Sequence, residues 1–262
     1  MAADVAWDES APGVAGCKLR LLRGGAGRPV LVLHHDLGTL DRLPFYDALA
    51  RRFDVLLPHH PGFGGSERPA WLRSPRDIAA MYQALLTDLD LAQVSLLGLG
   101  LGGWIAAEMA SLAPRDFHRL VLVGAMGVKP PAGDILDQAL LSYIDYARAG
   151  FHGEAAFAAA YGAEPSTDQL VAWDIAREMC FRIAWKPYMY NQTLPHLLGG
   201  VRAPTLVVWG EHDRVVPRSA GEVYATALRH AKLEIVRGSG HCVEMEKPAE
   251  LAALISSFLD GR

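Results

Sequence analysis

Six short apolar runs, separated by segments of helical periodicity, constrain the fold of this chain more than any other feature. Near-continuous runs rich in Val and Leu are typical of parallel strands that are covered by helices on both faces. Residues 77–91 repeat apolar side chains at helical spacing, and Pro248 stands where a last helix begins. The pattern predicts an α/β fold with a mostly parallel central sheet. The runs are 30–33, 55–57, 94–97, 120–123, 205–209 and 233–236.

A long interval between the fourth and fifth runs breaks this alternation. Residues 128–198 are helical in character and rich in Tyr, Trp and Met. Because ordinary connections are only a few residues long, an interval of this length predicts an inserted helical cap. We therefore expect a core of residues 1–127 and 201–262 and a cap of residues 128–200. Aromatic side chains such as Trp185 and Tyr188 either pack the cap onto the core or line a pocket.

Composition excludes several classes of partner. The chain has 262 residues, of which 51% are hydrophobic, and a formal net charge of -4. Its Lys and Arg residues are scattered, which argues against nucleic acid, and the absence of a run of about 18 apolar residues argues against a membrane span. The first thirty residues lack a signal-peptide pattern, and the three cysteines lack CxxC spacing. We expect a cytoplasmic protein with a small-molecule substrate, and a homodimer remains open.

Residues 98–103, Gly-Leu-Gly-Leu-Gly-Gly, contain every part of the G-x-S-x-G motif of serine hydrolases except the serine. That motif places its central residue on a strained turn between a strand and a helix. Gly100 stands at the centre here, and glycine adopts strained backbone conformations readily. The turn can therefore form, but no acyl-enzyme can form at Gly100. The spacing also differs from the G-x-G-x-x-G pattern of a dinucleotide loop.

Four further motifs follow in order along the chain. They are residues 33–38 (Leu-His-His-Asp-Leu-Gly), 61–66 (Pro-Gly-Phe-Gly-Gly-Ser), 209–213 (Trp-Gly-Glu-His-Asp) and 238–241 (Gly-Ser-Gly-His). Together with residues 98–103 they resemble the α/β-hydrolase fold superfamily from about residue 31 to the C-terminus. The resemblance implies that Asp213 is the catalytic acid and His241 the catalytic base. In such a pair the carboxylate orients the imidazole, which transfers protons near neutral pH.

The same resemblance implies an oxyanion hole built from the backbone N–H groups of Leu101 and Asp36. The Asp36 side chain has two interpretations: turned into the hole it would oppose an oxyanion, and turned away it would cap a loop or pair with His35. Several positions depart from the family pattern, namely Leu99, His35, Asp36 and His59. These departures favour natural divergence of Gly100 over an engineered knock-out.

Histidines near the expected site raise the question of a metal. His34, His35, His59 and His60 follow two of the predicted strands, and imidazole is a common ligand of zinc and iron. Because His34 belongs to the family pattern and no HxxxH pair is present, we expect no metal and no cofactor. Neither Cys242 nor Ser66 is expected to replace the missing nucleophile. The pocket candidates are His34, His35, Leu99, Trp185 and Tyr188.

The sequence is compatible with three functions. In the first, the His241–Asp213 dyad activates water above Gly100 and hydrolyses an ester, a lactone or a carbon–carbon bond beside a carbonyl. In the second, the same base removes a proton from the substrate in a lyase, isomerase or cofactor-free oxygenase. In the third, the chain is an inactive ligand-binding protein, since a fold alone does not establish a function.

Overall fold

The central sheet of the computed structural model, which describes residues 5–261, has eight strands in the order β1-β4-β6-β5-β7-β8-β9-β10. The six strands from β6 to β10 in this order are parallel, and β4 and β1 extend the sheet antiparallel at the β6 edge. β2 and β3 form a separate two-stranded hairpin. The strands are β1 (Trp7–Ser10), β2 (Gly13–Val14), β3 (Cys17–Lys18), β4 (Leu21–Gly24), β5 (Pro29–Leu33), β6 (Asp54–Pro58), β7 (Ser95–Leu99), β8 (Leu120–Val123), β9 (Thr205–Gly210) and β10 (Ala231–Val236).

All six predicted apolar runs are strands of the parallel part of the sheet, so the predicted fold class is confirmed. Helices cover both faces, as expected for strands that are apolar on both sides. The helices are α1 (Pro44–Ala50), α2 (Pro75–Asp88), α3 (Leu101–Leu112), α4 (Tyr143–Ala149), α5 (Glu154–Tyr161), α6 (Thr167–Ala184), α7 (Leu194–Leu197), α8 (Arg218–Ala227), α9 (Val243–Glu246) and α10 (Pro248–Leu259). Helices α1 and α10 pack on one face of the sheet, and α2, α3 and α8 on the other.

Local sequence signals begin several of these helices. Ser74 caps α2 by accepting a hydrogen bond from the Asp77 N–H, and the Asp77 carboxylate accepts one from the Ser74 N–H. This reciprocal pair satisfies two N–H groups that a helix start leaves without partners. The segment between β8 and β9 contains α4, α5, α6 and α7, which agrees with its helical character. Its division from the core at residues 128 and 200 stays a prediction.

Helix α3 starts in direct contact with the end of β5. The Gly102 N–H donates to the His34 carbonyl at 2.9 Å. A Cβ at Gly102 would lie 2.1 Å from the Leu33 carbonyl oxygen. Only glycine permits this approach, which places the first turn of α3 beside the loop that follows β5.

Two buried histidines tie that loop to the loop after β6. The rings of His34 and His60 lie 3.7 Å apart between centroids, and both side chains are fully buried. The His34 ring contacts the His35 carbonyl and the His60 N–H, at 2.8 Å each, and the His60 ring contacts the His34 carbonyl and the Tyr82 hydroxyl. Every ring nitrogen of His34 and His60 therefore has a partner.

Within residues 5–261 no helix is both long and apolar enough to cross a membrane.

These histidines predict a loss of stability in acid. Burial lowers the pKa of His60 from 6.5 to about 3, and burial together with His60 lowers the pKa of His34 well below its ordinary value. Between the lowered pKa values of the folded protein and the ordinary value of 6.5, the unfolded chain binds more protons than the folded one. The free energy of unfolding therefore falls as the pH falls through this window. Each group contributes about 1.4 kcal/mol per pH unit in this window. Urea unfolding from pH 7 to pH 4 measures this slope, and His60→Asn should reduce it; an unchanged slope in that variant would contradict the assignment.

Candidate active site

The turn between β7 and α3 has the conformation that the glycine motif predicts. Gly100 has φ +53° and ψ −113°, a region that residues with a Cβ rarely adopt. Its carbonyl accepts hydrogen bonds from the N–H groups of Gly103 and Met126, both at 3.0 Å. The turn thus retains the strained geometry without the side chain that this geometry presents in serine hydrolases.

Asp213 and His241 meet at the carboxyl ends of β9 and β10. The Asp213 Oδ2 lies 2.8 Å from His241 Nδ1, and the Asp213 Oδ1 accepts hydrogen bonds from the N–H groups of Val215 and Val216 at 2.8 and 2.9 Å. The two backbone donors fix the carboxylate, which in turn fixes the imidazole. Both side chains are buried. If Nδ1 carries the proton toward Asp213, Nε2 keeps its lone pair, which is the arrangement that a general base requires.

The pKa of His241 is raised above its ordinary value of 6.5. Burial is the largest single effect and lowers the pKa, but the charge and hydrogen bond of Asp213, together with the carboxylates of Asp36 and Glu244, outweigh burial. The surroundings of His241 therefore favour the protonated form that a general base produces.

His35 extends to the position where a nucleophile would stand. A Cβ added at Gly100 would lie 2.5 Å from His35 Nδ1 and 3.1 Å from His241 Nε2. The two imidazole rings lie 4.8 Å apart between centroids. Within residues 5–261, neither His35 Nδ1 nor His241 Nε2 has a hydrogen-bond partner, although both are buried. Two unpartnered nitrogens therefore converge above Gly100.

A buried glutamate lies behind His35. Glu244 Oε2 is 3.3 Å from His35 Nε2, and the Glu244 side chain is 1% exposed. Sequence reasoning did not identify Glu244, because it belongs to an acidic stretch with Glu246 that resembles a solvated helix face. Its place three residues after His241, at the start of α9, is the one signal that relates it to the site.

The Asp36 carboxylate faces the cap. Its Oδ2 accepts hydrogen bonds from Gln138 Nε2 at 2.6 Å and from the Tyr146 hydroxyl at 2.8 Å. Within residues 5–261 no hydrogen bond joins Asp36 to His35. The Asp36 carboxylate therefore has its partners in the segment between β8 and β9 and not in His35. Leu101 is the first residue of α3, where an amide N–H has no acceptor in its own helix. The oxyanion role of Leu101 and Asp36 stays a prediction.

A small, partly open cavity adjoins these groups. It measures about 20 Å³ as the space that the centre of a water molecule can reach, and about 10–15 Å³ by that measure suffices for one water. His35, Asp36, His241 and Cys242 supply its polar side. Its remaining wall includes Tyr146, Phe151, Tyr161, Val215 and Met245. A larger surface cleft beside Gln83 and Asp116 lies at the amino ends of the strands, away from the end where α/β sheets bind ligands.

Of the five pocket candidates, only His35 lines this cavity. Leu99 is fully buried against the face of the sheet that α1 and α10 cover, because side chains of a strand alternate between faces. Trp185 is 47% exposed and packs on Tyr188. The Tyr188 hydroxyl bonds the Leu136 carbonyl and the Gln138 N–H, and His34 stacks on His60. The other four candidates thus lie outside this cavity, and the reason is the same for each: sequence position does not reveal which way a side chain points.

Neither possible replacement nucleophile is presented for reaction. Burial, with Glu244 nearby, raises the pKa of the Cys242 thiol well above its ordinary value. A thiol held in this way forms little thiolate. The Ser66 hydroxyl donates to the His59 carbonyl and accepts from the Arg20 N–H, so it holds its own turn. This agrees with the expectation from sequence.

Two groups of side chains bring potential metal ligands together. One donor atom each from His35, Asp36 and His241 lies within 4.8 Å of the others, and the same holds for His35, Cys242 and Glu244. In the second group the raised pKa of the thiol opposes ligation. In the first, one Asp36 oxygen already accepts two hydrogen bonds. The absence of a metal stays a prediction from sequence.

Comparisons with known proteins identify relatives of this chain. A family model described as the alpha/beta hydrolase fold matches residues 29–248. The 2-hydroxymuconate semialdehyde hydrolase of Pseudomonas sp. (strain CF600) is 28% identical, covering 94% of this chain and 91% of that protein. The 2-hydroxy-6-oxo-2,4-heptadienoate hydrolase of Pseudomonas putida is 24% identical, covering 93% of each. A solved membrane phospholipase A has a TM-score of 0.82 at 25% identity, covering 97% of this chain and 86% of that one.

The crowding above Gly100 predicts that even alanine destabilises the protein. Gly100→Ala would force an L residue to φ +53° and a Cβ to within 2.5 Å of His35 Nδ1. We expect a loss of about 1–3 kcal/mol in the free energy of unfolding, the usual size of such strain. The matched control is Gly199→Ala, whose Cβ would meet only the Ala227 carbonyl oxygen at 3.8 Å. Urea unfolding of both variants measures the difference, and equal stabilities would show that the turn is not crowded.

Proposed function

This chain belongs to the α/β hydrolase fold family, and on that premise we propose that it is a hydrolase that works without an acyl-enzyme. In the proposed mechanism, the His241–Asp213 dyad acts as a general base on water. The bond that is cleaved is an ester, a lactone or a carbon–carbon bond beside a carbonyl in a small organic molecule. Two of the relatives compared above are named as hydrolases, and both names denote substrates with a carbonyl group.

One observation carries the proposal. His241 Nε2 is buried, has no partner among the described residues, and lies 3.1 Å from the position of a Cβ at Gly100. In serine hydrolases that nitrogen takes the proton of the serine hydroxyl. In this chain Gly100 has no hydroxyl, and the adjoining cavity accommodates a water molecule. Water is therefore the hydroxyl group that His241 can deprotonate.

The reaction follows from this placement. His241 Nε2 takes a proton from water as its oxygen forms a bond to the carbonyl carbon, and the carbonyl π electrons move to oxygen. The N–H groups of Leu101 and Asp36 are placed by family resemblance to stabilise that oxyanion. When the tetrahedral intermediate collapses, the bond to the leaving group breaks, and the imidazolium of His241 supplies its proton. No bond to the protein forms at any step.

The cavity restricts the substrate. Because it accommodates little more than a water molecule, the substrate either carries a small group at the reacting carbon or enters when the α4–α5 region moves outward. The wall contributed by Phe151, Val215 and Met245 favours apolar groups there.

We also place the protein in the cytosol, consistent with three cysteines that are buried and free of disulfides.

Replacement of the base should remove the activity. We expect His241→Asn to lower the turnover of 2-hydroxymuconate semialdehyde or p-nitrophenyl acetate by at least about 100-fold, the lower range for general-base catalysis. The control is His230→Asn, at an exposed position remote from β9 and β10 carboxyl ends. Turnover in H₂¹⁸O should place the label in the product. Unlabelled product would identify base chemistry on the substrate, and undiminished turnover by His241→Asn would exclude the dyad.

The pH profile should report the raised pKa of His241. A general base must be neutral, so kcat/KM should rise with pH to a midpoint above 6.5. The charged and titratable groups around His241 are Asp213, Asp36, Glu244 and His35. Asp213→Asn removes the largest stabilising charge, so the midpoint should move to lower pH while the maximal rate falls. A midpoint that Asp213→Asn leaves in place would assign the titration to another group.

A further inference from the structure

We propose that His35 and Glu244 form a second imidazole–carboxylate dyad, which acts together with His241 on one water molecule in place of the missing serine. The inference rests on the proposed hydrolysis by water and adds a second catalytic side chain to it. His35 is one of the positions at which this chain departs from the family pattern. The imidazole is therefore a feature of this chain rather than of the resemblance.

The first argument is steric. His35 Nδ1 lies 2.5 Å from the position of a Cβ at Gly100, and real Cβ atoms do not approach a neighbour so closely. A serine at Gly100 and the imidazole of His35, as placed here, cannot both be present. The absence of a side chain at Gly100 and the position of the His35 ring therefore depend on each other. The imidazole occupies the space that a serine side chain would require.

The second argument is the direction of the free nitrogens. His35 Nε2 is directed at Glu244 as His241 Nδ1 is directed at Asp213. Carboxylates accept hydrogen bonds, so each of these nitrogens carries the proton in a neutral ring, and the opposite nitrogen keeps its lone pair. His35 Nδ1 and His241 Nε2 are therefore two acceptors that face the same space. A water molecule there donates one O–H group to each and turns its own lone pairs toward the cavity.

The third argument is the charge of the site. The side chains of Asp213, Asp36 and Glu244 are each at most 2% exposed. Among the contacts within residues 5–261, none of the three pairs with a Lys or Arg side chain. Buried negative charge without a cation is unfavourable, so these carboxylates stabilise positive charge that develops on a neighbouring imidazole during the reaction. The site is suited to hold protons that the reaction releases.

Two imidazoles also account for both protons of water. His241 takes the first proton as the oxygen attacks, and returns it to the leaving group when the intermediate collapses. The oxygen that came from water still carries the second proton. His35 Nδ1 takes that proton as the product becomes a carboxylate, and then releases it to solvent. Each proton thus has an acceptor, and no other reactant is needed.

Activity measurements on p-nitrophenyl acetate test the second dyad. We expect His35→Gln, which keeps a donor toward Glu244, to lower kcat at least about tenfold with little change in KM, because the amide cannot act as a base. Glu244→Gln should lower kcat less and shift the pH profile, whereas the exposed Glu250→Gln should match the wild type. A proton inventory in mixed H₂O and D₂O should be curved for the wild type and linear for His35→Gln. Unchanged kcat and an unchanged inventory in His35→Gln would overturn the inference, and His241→Asn separately decides the proposed function.

Exchange of the two side chains tests the steric argument. Gly100→Ser alone should gain no acyl-enzyme, since His35 blocks the new side chain. Gly100→Ser combined with His35→Gly should form an acyl adduct on the introduced hydroxyl, detectable as a mass increase after brief reaction with p-nitrophenyl acetate. Equal adduct formation by the single variant would show that His35 does not occupy this space. An adduct on His35 in the wild type would make it a nucleophile and overturn its role as a base.

A measurement without substrate completes the test. ¹⁵N NMR of the imidazoles of the wild-type protein should show His35 with its proton on Nε2 and His241 with its proton on Nδ1 once both rings are neutral. His35→Gln assigns the signals. The opposite tautomer of His35 would overturn the inference, and so would one equivalent of tightly bound zinc or iron, because the two lone pairs would then be metal ligands.

Discussion

The approach of His35 to the turn at Gly100 governs the organisation of this site. The 2.5 Å from His35 Nδ1 to a Cβ at Gly100 leaves no room for any side chain at the centre of the motif. The strained turn survives because glycine adopts φ +53° without a Cβ clash. The His35 ring occupies the space that a serine side chain at Gly100 would require. In the proposed mechanism a water molecule between the two imidazoles takes the place of the serine hydroxyl.

The buried carboxylates around the two imidazoles determine which chemistry the site favours. Asp213 and Glu244 each hold one imidazole from behind, while Asp36 adds a third buried carboxylate that the cap binds through Gln138 and Tyr146. All three carboxylates act to raise the pKa of His241 against the effect of burial. Such surroundings favour removal of a proton from a neutral molecule. They are less suited to stabilise an oxyanion, for which the resemblance to the family predicts the N–H groups of Leu101 and Asp36 as donors.

Two close contacts below the site hold these groups in place. The stack of His34 on His60 holds the loops after β5 and β6, and the contact of Gly102 with the Leu33 carbonyl holds α3 against β5. His35 is the next residue along the chain after the stacked His34, so this packing fixes its backbone position. Gln138 and Tyr146, in the segment between β8 and β9, hold the Asp36 carboxylate through two hydrogen bonds, so the position of this carboxylate depends on that segment.

The sequence by itself determined the sheet, the glycine turn and the pair of Asp213 and His241, because apolar runs and local motifs act over a few residues. It did not determine that Leu99 faces the core, that Tyr188 bonds to the backbone, or that His35 points at Gly100. Glu244 lies 209 positions from His35 along the chain, and no local pattern relates them. Only the tertiary structure decided their contact, because side-chain direction and burial depend on how distant strands bring their loops together.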